Sequence, residues 1–122
     1  MTRIGVLISA VAVLALIATP VAAAHTGGTA ATASTTITVK GGEFFFRLSR
    51  TTLAAPGAVT FRFTNIGHVA HDFMIGSKKT PLVSPGQSAS LAVRFKAKGK
   101  FPYLCTVPGH AAAGMKGTFT VR

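Results

Sequence analysis

From residue 37 onward, apolar and polar residues alternate in short runs. Val59, Phe61 and Phe63 interleave with Thr60, Arg62 and Thr64, and Leu91, Val93 and Phe95 interleave with Ala92, Arg94 and Lys96. A period of two sends successive side chains to opposite sides of an extended chain, so each run predicts a strand with one face in a core and one in water. Phe44, Phe46 and Leu48 share a face in another run, opposite Phe45, Arg47 and Ser49. His71, Phe73 and Ile75 share a face in the next, and Phe101, Tyr103 and Cys105 in the one after. Short runs at 37–40 and 118–121 bracket the set. Gly41-Gly42, Pro56-Gly57, Pro85-Gly86 and Pro108-Gly109 mark turns between them. No segment carries the 3.6-residue period of an amphipathic helix, and there is no internal repeat. Seven or eight short strands separated by turn signals predict an all-β sandwich or barrel.

The chain before residue 37 reads differently. Residues 25–36 are Thr, Ala and Gly with one Ser and one His, without apolar periodicity, the composition of a flexible linker. Residues 1–24 begin with Arg3, continue through an apolar run at 4–18 and end in Ala22-Ala23-Ala24. That layout predicts a secretory signal cleaved after Ala24, with a retained membrane anchor as the alternative. Export places the domain at 37–122 in the periplasm, outside the cell or on the outer face of the cytoplasmic membrane. An oxidising compartment makes the single Cys notable, because it has no partner within the chain.

Charge narrows the picture further. The 122 residues hold 13 Lys+Arg and 2 Asp+Glu, a formal charge of +11, and loss of Arg3 with the signal leaves +10. Alternation places Arg62, Arg94, Lys96, Lys98 and Lys100 on solvent faces or in turns. A surface of this sign expects anionic partners. Nucleic acid is set aside for an exported chain. Acidic redox proteins of the cytochrome or oxidase type, or an anionic envelope surface, remain, and the domain is expected to be monomeric. The two carboxylates, Glu43 and Asp72, leave little for acid–base chemistry or for an oxygen-ligated metal site.

Chemistry concentrates in Cys105-Thr-Val-Pro-Gly-His110-Ala-Ala-Ala-Gly-Met115, where four residues separate Cys105 from His110 and four separate His110 from Met115. A thiolate, an imidazole and a thioether on one loop suit copper: sulfur favours Cu(I), imidazole holds Cu(II), and two His, one Cys and a weak axial Met make an electron-transfer site. The loop needs one more imidazole. His71 points where Phe73 and Ile75 point, and is expected to supply it. His68, in the loop before that strand, is the alternative. His25 would offer an N-terminal amine and imidazole after cleavage, a separate way to bind copper. Val107, Pro108, Ala111, Ala112 and Ala113 would surround His110 with either an apolar collar for a transient partner or plain loop filling.

The pattern Asn65-x-Gly67-x-x-x-His71 followed by Cys105-x4-His110-x4-Met115 resembles the cupredoxins, the blue copper proteins, over nearly all of 37–122. The resemblance implies a Greek-key β-sandwich with one type 1 copper ion at one end and one-electron transfer between redox partners. It implies His71, Cys105 and His110 as equatorial ligands and Met115 as the axial one. Asp72 departs from the family, where Asn commonly follows the first His and ties two ligand loops together. An ionised carboxylate there would stabilise Cu(II) and lower the potential; the alternative is a carboxyl paired with a cation, or hydrogen-bonded and protonated. The loop length is closer to auracyanin-like than to plastocyanin-like members. A copper-handling protein of the envelope, for scavenging or delivery, is the alternative function. An enzyme is not expected: too few His remain for further coppers, and Gly109 stands where a binuclear site would want a second thiolate.

Overall fold

A computed structural model of the protein describes residues 33–122. The address segment 1–24 and residues 25–32 of the linker, His25 included, lie outside the described residues. The fold consists of β1 (Thr35–Gly42), β2 (Phe45–Leu48), β3 (Thr52–Leu53), β4 (Gly57–Asn65), β5 (Met74–Ile75), β6 (Lys78–Lys79), β7 (Ser88–Phe95), β8 (Gly99–Leu104) and β9 (Lys116–Val121). They form a four-stranded sheet in the order β2-β1-β4-β7 and a five-stranded sheet in the order β3-β9-β8-β5-β6. The alternating sequences explain this layering. Ile37, Val39, Val59, Phe61, Phe63, Leu91 and Phe95 turn inward from the first sheet, and Ile75, Tyr103, Phe119 and Val121 meet them from the second, with Phe73 from the segment just before β5.

Aromatic rings dominate the contact between the layers. Phe61 lies 5.3 Å from Phe73 and 5.4 Å from Phe119 between ring centroids, and Phe46 lies 5.3 Å from Phe73. Edge and tilted contacts of this kind add to the area term of burial. Arg62, Arg94, Lys96, Lys98 and Lys100 are exposed, as their alternation places them.

Hydropathy alone missed several features. The nine strand segments exceed the seven or eight expected because β3 and β6 have two residues each, too short to carry a period. β1 starts at Thr35 rather than near residue 37, since Thr35 and Thr36 pair in parallel with Val59 and Thr60. The run expected as a strand over 71–75 is strand only at Met74–Ile75, preceded by an isolated bridge between His71 and Val83. Alternation fails there because Asp72 is buried beside both His71 and Phe73.

Register determines where the loops meet. Gly41 pairs with Asn65, Met74 with Leu104, and Leu104 with Lys116. The ends of β1, β4 and β8 and the start of β9 therefore gather at one end of the sandwich. The loops carrying Glu43, His71 and Cys105–Met115 open there. At the opposite end Gly57 pairs with Phe95 and Gly99 with Val121.

Candidate metal centre

The loop after β4 is shaped by Asn65, which is fully buried. Its side-chain amide donates to the carbonyls of Val69 and Val83, each at 2.8 Å, and its oxygen accepts the Gly67 N–H at 2.8 Å. One side chain thus satisfies three loop groups and holds the approach to His71. His71 then bonds to Val83 in both directions, N–H to carbonyl at 3.1 Å and the reverse at 2.8 Å. Its side chain is completely buried.

The second loop is closed on itself. The Met115 N–H donates to the His110 carbonyl at 3.0 Å, and the Cys105 N–H donates to the Met115 carbonyl at 3.1 Å. Ala113 N–H bonds to the Gly109 carbonyl at 3.0 Å, giving a tight turn over the segment. Gly114 ends that turn at φ +118°, a conformation that disfavours any side chain. The fold brings Cys105 and Met115 to buried positions and leaves His110 half-buried.

Three donor atoms converge. Nδ1 of His71 is 3.0 Å from Nδ1 of His110, and Sγ of Cys105 lies 3.9 Å from the first and 3.6 Å from the second. These sides define an acute triangle whose centre is about 2.1 Å from each atom, a metal–imidazole distance and about 0.2 Å short of a metal–thiolate one. Two imidazole nitrogens and a sulfur facing one point are a donor set for a soft or borderline transition metal. Burial pushes the Cys105 thiol up, and the Asp72 charge adds to this, against backbone N–H groups of Asp72 and Val107 that lower it. A cation at the triangle's centre reverses that balance, since a coordinated thiol is deprotonated. The residues therefore fit copper.

His68 does not join the cluster. Its side chain is 97% exposed, with Nδ1 3.6 Å from Glu43. Asp72 does what the family's Asn is expected to do, by different chemistry. Its carboxylate accepts the Thr106 N–H at 2.6 Å and the Thr106 hydroxyl, and Lys79 Nζ lies 3.5 Å away. The charge is therefore both paired and hydrogen-bonded, and it ties the His71 loop to the residue after Cys105.

Sequence reasoning assigned no role to Glu43. Its Oε1 accepts the N–H groups of His68 at 2.7 Å and Val69 at 2.9 Å and sits 3.1 Å from His71 Nε2. The Val69 and His68 N–H bonds hold its carboxyl at about 2, well below the usual 4.5. An ionised acceptor at Nε2 assigns the ring proton to that nitrogen and leaves Nδ1 with a free lone pair toward the triangle. One clue lay in the composition: Glu43 is one of two acidic residues in a strongly basic chain.

A layered all-β sandwich with a Cys-His-His cluster at one end, beside a buried Met, defines a blue copper domain. Residues 31–122 match the family model of copper-binding proteins of the plastocyanin/azurin family. The chain belongs to that family, the cupredoxins. It is similar to auracyanin-B of Chloroflexus aurantiacus, 50% identical over 42 residues covering 34% of this chain and 18% of that protein. It is also similar to the copper-resistant cuproprotein CopI of Vibrio cholerae, 29% identical over 85 residues covering 52% of this chain and 50% of that one. The chain thus spans half or less of the length of these relatives. Among solved structures, reduced auracyanin of Roseiflexus castenholzii aligns with a TM-score of 0.62 at 26% identity, covering 74% of this chain and 98% of that one. A multicopper oxidase aligns at 0.56 and 16% identity, covering 75% and 45%, a likeness of fold alone.

Proposed function

We propose that the chain is an exported one-electron carrier with a single type 1 copper. His71, Cys105 and His110 are its equatorial ligands and Met115 its axial one. The observation that carries this reading is the triangle of Cys105 Sγ and two imidazole Nδ1 atoms. Bound there, copper supplies a Cu(II)/Cu(I) couple. The chain's own part is to hold the donors still and to bring one of them near the surface. Asn65, Asp72 and the closed loop from Cys105 to Met115 fix three of the ligands to the two sheets, so that little rearrangement accompanies a change of charge.

The fourth, His110, is the exit. It packs edge-on against Phe44, with ring centroids 5.0 Å apart. All four large apolar residues exposed among the described ones, Phe44, Ile66, Val69 and Leu82, lie in segments at this end. With Pro108, Ala112 and Ala113 they give an apolar face around the half-buried imidazole. A face of this kind suits a brief encounter in which the partner approaches closely and leaves. The net charge, +11 for the whole chain and +10 without Arg3, draws acidic partners of the cytochrome or oxidase type from a distance. The sequence of residues 1–24 supports export.

Cu(II) added to the metal-free protein is expected to give an intense blue charge-transfer band that disappears in Cys105→Ala. A colourless Cu(II) complex of the wild type would overturn the reading. Copper scavenging or delivery is the alternative reading. Repeated electron exchange with a cytochrome, without loss of copper, separates carrier from scavenger.

A further inference from the structure

We propose that Glu43 is a positioning residue for the metal centre: its carboxylate orients His71 and strengthens it as a ligand for Cu(II) in preference to Cu(I). This rests on the copper reading above. His71 is sealed from solvent, so its Nε2 proton needs a protein partner, and Glu43 Oε1 at 3.1 Å is the one present. The carboxylate is itself anchored, accepting two backbone N–H groups from the loop that leads to His71. Gly67 makes room for it, since a Cβ at that position would lie 2.6 Å from Oε1. A hydrogen bond from a ligating imidazole to an anion raises the basicity of the other nitrogen and fixes the ring's orientation. That favours the more highly charged metal ion. The only other carboxylate, Asp72, is engaged by Lys79 and Thr106 and touches neither imidazole.

The test needs no activity. Glu43→Gln keeps an acceptor oxygen but removes the charge, and Glu43→Ala removes both. Cu(II) affinity is expected to fall roughly 10- to 100-fold in each, with Ala the larger loss. Cu(I) affinity should fall less, so the reduction potential rises. Nitrogen-15 NMR of the reduced wild-type protein, which needs no variant, should show His71 protonated at Nε2 and a low-field proton slow to exchange. A wild type without the blue band sinks the copper reading itself. A blue wild type whose His71 proton is on Nδ1, or a folded Glu43→Gln variant with Cu(II) affinity within threefold, sinks the role of Glu43 alone.

Different observations carry a second inference. The geometry points to the end opposite the metal centre as a docking face for an anionic lipid bilayer. Arg94, Lys96, Lys98 and Lys100 are exposed there, whereas the exposed Lys40, Lys79 and Lys116 toward the copper end share it with both acidic side chains of the sequence. Ile75, Val93, Phe95 and Phe101 line a groove of about 460 Å³ whose rim is Lys78, Arg94 and Lys96. Cations around an apolar cleft match lipid headgroups with their first acyl carbons. β1 starts near this end, with Thr35 opposite Val59. An acidic redox partner docked at this end would face the nine-residue length of β4, roughly 25 Å, between itself and the ligands.

The full chain should partition onto phosphatidylglycerol vesicles in preference to neutral phosphatidylcholine. The triple variant Lys96→Gln/Lys98→Gln/Lys100→Gln should lose that preference roughly tenfold or more. Lys40→Gln/Arg47→Gln/Lys116→Gln, an equal change of charge elsewhere, should lose less than threefold. Equal losses from both triples, or no preference for anionic lipid, would overturn the assignment. Binding to polyglutamate that depends on the first triple, without a vesicle preference, would reassign the end to an acidic protein.

Discussion

A single carboxylate replaces an expected amide at position 72, and its surroundings decide what that replacement does. Asp72 is buried, and its oxygens take both polar groups of Thr106. Asp72→Ala leaves the Thr106 N–H without its acceptor. A loss of roughly 1–3 kcal/mol in unfolding free energy is expected from urea titration of the metal-free protein. Glu43 adds a pH dependence whose sign follows from its lowered pKa of about 2 against 4.5 in an unfolded chain. A depressed carboxyl stabilises the fold fully above pH 4.5, and the contribution is lost as pH falls through 2. The stability difference between metal-free wild type and Glu43→Gln, read by thermal melting, should therefore shrink steadily as pH falls from about 5 toward 2.

Among the elements, β4 is the keel. It is central in its sheet, paired with β1 on one side and β7 on the other, and it ends in Asn65 at the mouth of the site. Phe61, in its middle, contacts Phe73, Phe95 and Phe119. Phe61→Ala is expected to cost roughly 3–5 kcal/mol in a denaturant titration, since rings from both sheets lose a partner. Phe73 lies two residues beyond His71, so the same cavity should loosen the ligand. The blue band of Phe61→Ala should weaken or shift at temperatures where the sandwich is still folded. Turn elements matter as much as strands. Gly114, at φ +118°, sets the return of Met115 toward the cluster, and a Cβ there would meet the Phe44 carbonyl at 3.3 Å.

At the scale of the molecule, apolar surface gathers at one end while basic charge is spread over both. The apolar face surrounds His110, whereas Lys96, Lys98 and Lys100 project from the other end. Electron exchange with hexacyanoferrate, an anionic reagent, should slow roughly tenfold or more between about 0.01 and 0.3 M ionic strength, by stopped-flow absorption at the blue band. A rate independent of salt would show that the net charge does not steer the encounter.

Much of this was legible in the chain because both strands and copper ligands are written in local order. Alternation at 59–64 and 91–96 is enough to put Phe61, Phe63 and Phe95 inside, because a strand's period is a property of its own backbone. The order Cys105, His110, Met115 on one loop carries the metal chemistry without reference to the rest of the fold. The choice of His71 over His68 was open to the pattern of faces, and burial separates them: one is sealed, the other almost wholly in water. Tertiary structure alone decided what depends on contact across the sequence. Glu43 and His71 are 28 positions apart, and their hydrogen bond exists because β1 and β4 run in parallel and bring both loops to one end. Asp72 reaches Thr106 across 34 positions for a similar reason, through the pairing of β5 with β8. A sequence names the donors and the strands; the distances among donors and their outer partners arise from register, which no local pattern encodes.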